Sequence, residues 1–200
     1  MRSRFSACLT MAFDPKYVIQ CLWLAVGIVW LIGAFAVKQT SRRQSPGSRL
    51  VQLVLGVVAF MIGFSKRFEF GILSRPFWPD SPIVIYSGLA ATALGIGFAI
   101  WARFMLGGNW SGTVTVKEDH SLVKKGPYAI VRHPIYTGLL LALIGTVVVF
   151  NEVRCLITLG IVLVMFLLKI SIEEQFMREH FGDEYTEYSR RVRALVPFVY

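Results

Sequence analysis

Apolar stretches as long as a bilayer is thick constrain this sequence more than any other feature. A spanning helix needs about 20 mostly apolar residues. Tyr17 to Val37 and Ile83 to Trp101 meet that length outright. Leu50 to Phe64 is shorter but uncharged, and its flanks can extend it. From Ile135 to Ile170 the chain is apolar except for Asn151, Glu152 and Arg154 near the middle and Lys169 near the end, which reads as a helical hairpin with two rather short arms. The expected fold class is therefore an all-α integral membrane protein with about five transmembrane helices. Composition agrees: 55% of the 200 residues are hydrophobic and 16% are charged, against about 25% charged in a soluble globular domain.

The net charge of +9 does not point to nucleic acid, because the basic residues sit in short connections between apolar blocks, where they report topology. Arg2, Arg4, Lys16, Lys66, Arg67, Arg75 and Arg154 fall on one side; Lys38, Arg42, Arg43, Arg49, Arg103, Lys117, Lys124, Lys125, Arg132, Lys169, Arg178, Arg190, Arg191 and Arg193 fall on the other. The positive-inside rule makes the second set cytoplasmic, with the amino terminus outside and the carboxyl terminus inside. Ala34, Phe35 and Ala36 resemble a signal-peptidase site, but a signal core runs only about 7 to 15 residues and this block is longer, so a retained helix is expected. Cys8, Cys21 and Cys155 are too scattered for a disulfide framework, and no CxxC pair occurs. Ala91, Gly95 and Ala99 recur every four residues, a small-residue face suited to close helix packing. The segment from Ser65 to Pro82, rich in Phe, Trp and Pro, reads as interfacial.

Two polar stretches flank the hairpin, Gly107 to Tyr136 and Lys169 to Tyr200, and closing the hairpin brings them together. In the first, Thr113 to Val116 alternates as a short strand does. Pro134 suits the first position of a helix and pushes His133 toward an extended conformation. Arg132 and His133 thus stand at a helix entrance, where the dipole and free NH groups favour an anion. In the second stretch, Glu173 and Glu174 point about 100° apart on a helix, so both are not expected at one site. Lys169 shares a face with Glu173, and Arg178 shares one with Glu174. This assigns Glu173 to the site and Glu174 to a surface pair. Gly182 is placed to cap the helix, and Tyr185, Tyr188 and Val192 to line one face of a following amphipathic segment.

With these residues in view, the sequence resembles the isoprenylcysteine carboxyl methyltransferase family and the related membrane phospholipid N-methyltransferases. The resemblance is carried by HSLV at His120 to Val123, GPY at Gly126 to Tyr128, RHPIY at Arg132 to Tyr136, Gly138, the pair Glu173 and Glu174, and FGDEY at Phe181 to Tyr185 followed by Tyr188. It covers residues from about Leu106 to Pro197, which divides the chain into N-terminal membrane helices (1–104) and a methyltransferase core (105–200) with a cytoplasmic cofactor-binding region. The resemblance implies S-adenosyl-L-methionine as cofactor, held by His120, Ser121, Leu122, Val123, Tyr128, His133, Pro134, Ile135, Tyr136 and Glu173. Lys169 stands where the prenylcysteine enzymes place an arginine against the substrate carboxylate, which keeps the charge but loses the bidentate fork.

Arg132, His133 and Glu173 are the candidate catalytic residues. Arg132 or the helix entrance can take the cofactor's carboxylate, and Glu173 its ammonium or ribose. Tyr128 and Tyr136 can stack on adenine or shield the sulfonium. O-methylation of a lipophilic, isoprenylcysteine-like carboxylate is the expected reaction. N-methylation of an aminolipid is the alternative, for which His133 or Glu173 would serve as base. Membrane lipids and a lipophilic or lipidated acceptor are the expected partners, in an inner membrane if bacterial or the endoplasmic reticulum if eukaryotic. A sterol-type reductase using NADPH shares an RHPxYxG segment and ranks lower. So does a non-enzymatic membrane protein, because ionisable residues are nearly absent at mid-membrane. No HxxxH or HExxH spacing joins His120, His133, His180 and Glu173, so no metal is expected.

Overall fold

The computed structural model describes residues 14–34, 40–43, 45–79, 81–107, 115–117 and 122–197. Five long helices dominate: α1 (Pro15–Ala34), α2 (Pro46–Phe64), α3 (Pro82–Leu106), α4 (Pro134–Phe150) and α5 (Val153–Phe181), followed by a short α6 (Asp183–Arg191). Four of them, α1, α2, α3 and α5, are long and apolar enough to cross a membrane, whereas α4 has 17 residues. At 1.5 Å per residue α4 rises about 25 Å, short of a hydrocarbon core of about 30 Å. By contrast α5, with 29 residues, rises about 44 Å and continues beyond its partner's start. No break occurs at Ser171: the membrane arm and the amphipathic stretch carrying Glu173 and Glu174 are one helix, because nothing between Val153 and Phe181 stops it.

Pro134 stands in the first turn of α4 as the sequence predicts, and Pro46 and Pro82 occupy the same position in α2 and α3, where a missing NH costs nothing. Gly182, at φ +53°, ends α5 and passes its NH to Arg178 O. Outward faces carry Leu24, Leu31, Leu53, Val54, Leu94 and Val164, all at least half exposed; apolar surface of that extent is matched to lipid.

Small residues set the packing. The buried face of α3 carries Gly88, Thr92, Gly95 and Ala99, and α4 meets it with Gly138, Ala142 and Gly145. A methyl group built on Gly138 would lie 2.5 Å from Gly95 O, so the backbones touch and only glycine fits. Thr92 donates its hydroxyl to Gly88 O (3.0 Å) and Ala142 O (3.2 Å), satisfying that hydroxyl inside the seam. Helix α1 is tied to α4 by Trp23 Nε1 donating to Thr146 Oγ1 (3.0 Å), and to α3 by Arg103 donating to Gly33 O (3.0 Å). Helix α2 lies against α5, with Gly63 beside Thr158.

Two short strands, β1 (Thr40–Arg43) and β2 (Thr115–Lys117), pair antiparallel. Thr115 and Val116 of the alternating segment are in β2; Thr113 and Val114 lie outside the described residues. The segment between α2 and α3 makes two 3-10 turns, Lys66–Phe68 and Gly71–Ser74. It is pinned to the hairpin tip: Asn151 Oδ1 accepts from Phe77 N (3.1 Å) and Trp78 N (3.3 Å), and Nδ2 donates to Trp78 O (2.8 Å).

Candidate active site

At the other end of the hairpin, the chain entering α4 is held by the carboxyl-terminal segment. Arg132 N donates to Arg193 O (2.8 Å) and His133 N to Ala194 O (3.0 Å). Thr137 Oγ1 donates to Leu195 O (2.7 Å). A 3-10 turn at Gly126–Ala129 precedes this entrance. Its Tyr128 is buried, packs with Ala102, Ile135 and Val123, and is fixed by Tyr188, whose hydroxyl donates to Tyr128 O (2.5 Å). These backbone bonds fix His133 opposite the last turns of α5 and α6.

His133 is 9% exposed and lies between two carboxylates. Nε2 is 3.0 Å from Glu174 Oε1 and Nδ1 is 3.4 Å from Glu173 Oε2. The expectation that only one of the adjacent glutamates stands at this site is therefore corrected. Their side chains do diverge, but the two ring nitrogens of one imidazole diverge as well, and each meets one carboxylate. Burial disfavours a charged imidazole, yet the hydrogen bonds and charges of Glu173 and Glu174 outweigh it and hold the His133 pKa above the ordinary histidine value.

Glu174 is the second correction. It does pair with Arg178 (3.1 Å), but it is 7% exposed and no surface residue. Its Oε1 receives Arg132 Nε (2.7 Å), His133 Nε2 (3.0 Å) and the Tyr185 hydroxyl (3.0 Å). Burial and the adjacent Glu174 carboxylate push the Tyr185 phenol well above its usual pKa, so it remains a donor. Arg132, expected to face an anion, turns to Glu174 and donates also to Ser189 O (3.0 Å) and Val192 O. Sequence reasoning missed this hub: Tyr185 of the FGDEY run lies eleven positions beyond Glu174, and its spacing marks it only as part of an amphipathic face.

Glu173 faces a different space. It is 23% exposed on its side chain, and Tyr136 donates its hydroxyl to Oε1 (2.6 Å). The Tyr136 ring lies nearly parallel to His133 (18°, centroids 5.8 Å apart) and against Phe166 (4.8 Å). Lys169 Nζ stands over that ring, 5.7 Å from its centre. The structure thus brings Tyr128, His133, Pro134, Ile135, Tyr136, Lys169 and Glu173 into one region, with Val123 at its edge against Tyr128. Leu122 is described and half-buried; His120 and Ser121 lie outside the described residues. Among the described residues no group of three His, Cys, Asp or Glu is arranged to hold a metal ion.

Comparison with known proteins supplies an independent line. The model of the phospholipid methyltransferase family matches residues 83–184, from the first turn of α3 into α6. Protein-S-isoprenylcysteine O-methyltransferase B of Arabidopsis thaliana is 39% identical over 84 residues, 42% of this chain and 43% of that protein. The human protein-S-isoprenylcysteine O-methyltransferase is 33% identical over 159 residues, 72% of this chain and 56% of that one. This chain thus spans about half the length of such relatives. Among solved structures, a eukaryotic intramembrane Ras methyltransferase, isoprenylcysteine carboxyl methyltransferase, superposes with a TM-score of 0.54 at 25% identity, over 80% of this chain and 55% of that one.

Proposed function

The chain belongs to the phospholipid methyltransferase family, and from that premise we propose that it is an integral membrane methyltransferase that uses S-adenosyl-L-methionine to O-methylate a lipophilic, isoprenylcysteine-like carboxylate. The observation that carries the proposal is the group formed by His133, Tyr136, Lys169 and Glu173 where the hairpin leaves the membrane, with Glu173 part-exposed. The relatives' names support the acceptor class, and the donor set fits the cofactor. The Tyr136 face already takes a cation, Lys169, and so suits a sulfonium. Glu173 offers a carboxylate for an ammonium or ribose, and Tyr128, Ile135 and Val123 supply an apolar wall.

When bound, S-adenosyl-L-methionine would supply an electrophilic methyl group for direct displacement. Glu173 and the Tyr136 ring would bind it, together with Leu122, Val123, Tyr128 and the backbone of His133 to Ile135; His120 and Ser121 complete the set proposed from the resemblance. His133, clamped by both carboxylates, orients Glu173. Arg132 acts as a positioning residue through Glu174. Lys169 would hold the acceptor carboxylate at headgroup level, its stem lying along hydrocarbon beside the exposed Leu168. A carboxylate is ionised at neutral pH and needs no base, so alignment and exclusion of water carry the rate. In this reading residues 105–200 form the reacting region, α3 supports it, and the amino terminus is outside with both motif stretches cytoplasmic.

The test supplies an S-farnesylcysteine-type acid and phosphatidylethanolamine separately, with radiolabelled cofactor, to the protein in membranes. Base-labile methyl ester on the acid is expected. Label only in phosphatidylethanolamine would move the assignment to N-methylation, and label in neither would overturn methyl transfer. Lys169→Ala should raise KM for the acid and leave cofactor affinity nearly unchanged.

A further inference from the structure

On the face of α5 that carries Glu174, a cleft of about 660 Å³ opens between α5, α6 and the carboxyl-terminal segment. None of Tyr136, Lys169 or Glu173 lines it. Its charged walls are Arg132, Arg178 and Arg193 against Glu174 and Glu179, which leaves one positive charge in excess. The pairing shows where that excess resides. Arg132 and Arg178 both bond Glu174, and Gln175 donates to Glu179 (2.8 Å). Arg193 is exposed and its side chain makes no hydrogen bond among the described residues. Arg178, 60% exposed, can swing a donor toward the cleft without leaving Glu174 uncompensated, since Arg132 and His133 remain on it.

The cleft's floor begins at Ile170 and Ser171. One and two turns below on the same face of α5 lie Leu167 (37% exposed) and Leu163 and Val164 (39% and 50%), a stripe turned to lipid. An amphiphile with an anionic head and an apolar tail matches this sequence of surfaces, with its head between Arg178 and Arg193 and its tail along Leu167 and Leu163. We propose that the cleft is a binding site for the phosphate headgroup of an anionic phospholipid. Basic pockets at the membrane boundary attract such headgroups, and a lysine or arginine near the surface contributes roughly a fivefold gain in affinity. The proposal does not rest on methyl transfer, because Arg193, Arg178 and the apolar stripe that carry it take no part in the group formed by His133, Tyr136, Lys169 and Glu173.

The test titrates detergent-solubilised full chain with short-chain phosphatidylglycerol, phosphatidylcholine and inorganic phosphate, reading bound lipid by native mass spectrometry and stability by thermal unfolding. Phosphatidylglycerol should bind and stabilise well above phosphatidylcholine. Arg193→Gln should weaken phosphatidylglycerol about fivefold, and Arg190→Gln, an exposed arginine outside the cleft, should not. Equal binding of the two lipids, or equal effects of the two variants, would overturn the site. Stabilisation by inorganic phosphate equal to that by phosphatidylglycerol would overturn the lipid as its source.

Discussion

The two ends of the α4–α5 hairpin both hold buried charge, and they use it differently. At the tip, Asn151 adopts the left-handed conformation that ends α4 (φ +53°) and satisfies three backbone groups. Arg154, 4% exposed, pairs with Glu152 and Glu69 (3.0 Å) and donates to Ser65 O (3.4 Å). The aromatic side chains of this corner take no part in those bonds, and the partners are loops, so the cluster fastens the α2–α3 connection to the hairpin. At the opposite end, Glu174 plays that same fastening part for α6 and the carboxyl-terminal segment. Beside it Glu173 and Tyr136 keep part of their surface for something else. Buried charge alone therefore does not mark a site; what supports the proposed one is a part-exposed carboxylate seated on a structural hub.

The comparison breaks first at the hubs. Glu174→Ala strips Arg132, His133, Arg178 and Tyr185 of a shared partner and should cost about 3 to 5 kcal/mol, as loss of one member of a buried ionic network does. Thermal unfolding in detergent measures it, and a stable variant would reduce Glu174 to the surface role its spacing suggests. At the tip, Arg154→Ala should cost less, about 1 to 3 kcal/mol, because its partner Glu69 is 45% exposed and can rehydrate. Its folded fraction should keep full cofactor affinity, measured by calorimetry.

Protonation sharpens the contrast, since only the site end contains a histidine. His133 has a folded-state pKa above its ordinary value of about 6.5. Its contribution to stability is therefore fully present below that ordinary value and is lost as pH rises through the raised one. Thermal midpoints should fall as pH rises through that window in the parent and in Arg154→Ala, and the fall should vanish in His133→Gln. The smallest effect is expected from Tyr136→Phe, which keeps the ring and removes only the hydroxyl bond to Glu173, about 1 kcal/mol of cofactor affinity.

Much of this architecture was legible because membrane helices announce themselves by length, and because Pro134 and Gly182 mark where α4 begins and α5 ends. The close α3–α4 seam was legible from Gly95 and Ala99, whereas Ala91, expected on the same face, is only part-buried, and the partner glycines, Gly138 and Gly145, lie across a long connection. What the sequence hid depends on distance along the chain. Nothing local says that Asn151 caps Phe77 and Trp78, or that Tyr185 folds back onto Glu174. The misassignment of Glu174 has the same origin: an Arg178 four residues on is visible in the sequence, whereas Arg132, 42 residues away, is not. The apolar run of the hairpin's second arm stops at Ile170, whereas α5 continues to Phe181, because a change from apolar to amphipathic composition does not interrupt helix geometry.

The central claim, that Glu173 serves a ligand while Glu174 serves the fold, is tested most directly by titrating S-adenosyl-L-methionine into Glu173→Gln and Glu174→Gln by calorimetry, with thermal midpoints recorded on the same samples. Loss of a charge-assisted hydrogen bond of about 1.5 to 3 kcal/mol predicts about 10- to 150-fold weaker binding for Glu173→Gln, with a midpoint lowered less than in Glu174→Gln. Glu174→Gln should show a lowered midpoint and a smaller loss of affinity in its folded fraction, transmitted through His133. Equal losses of affinity at equal midpoints would contradict the account.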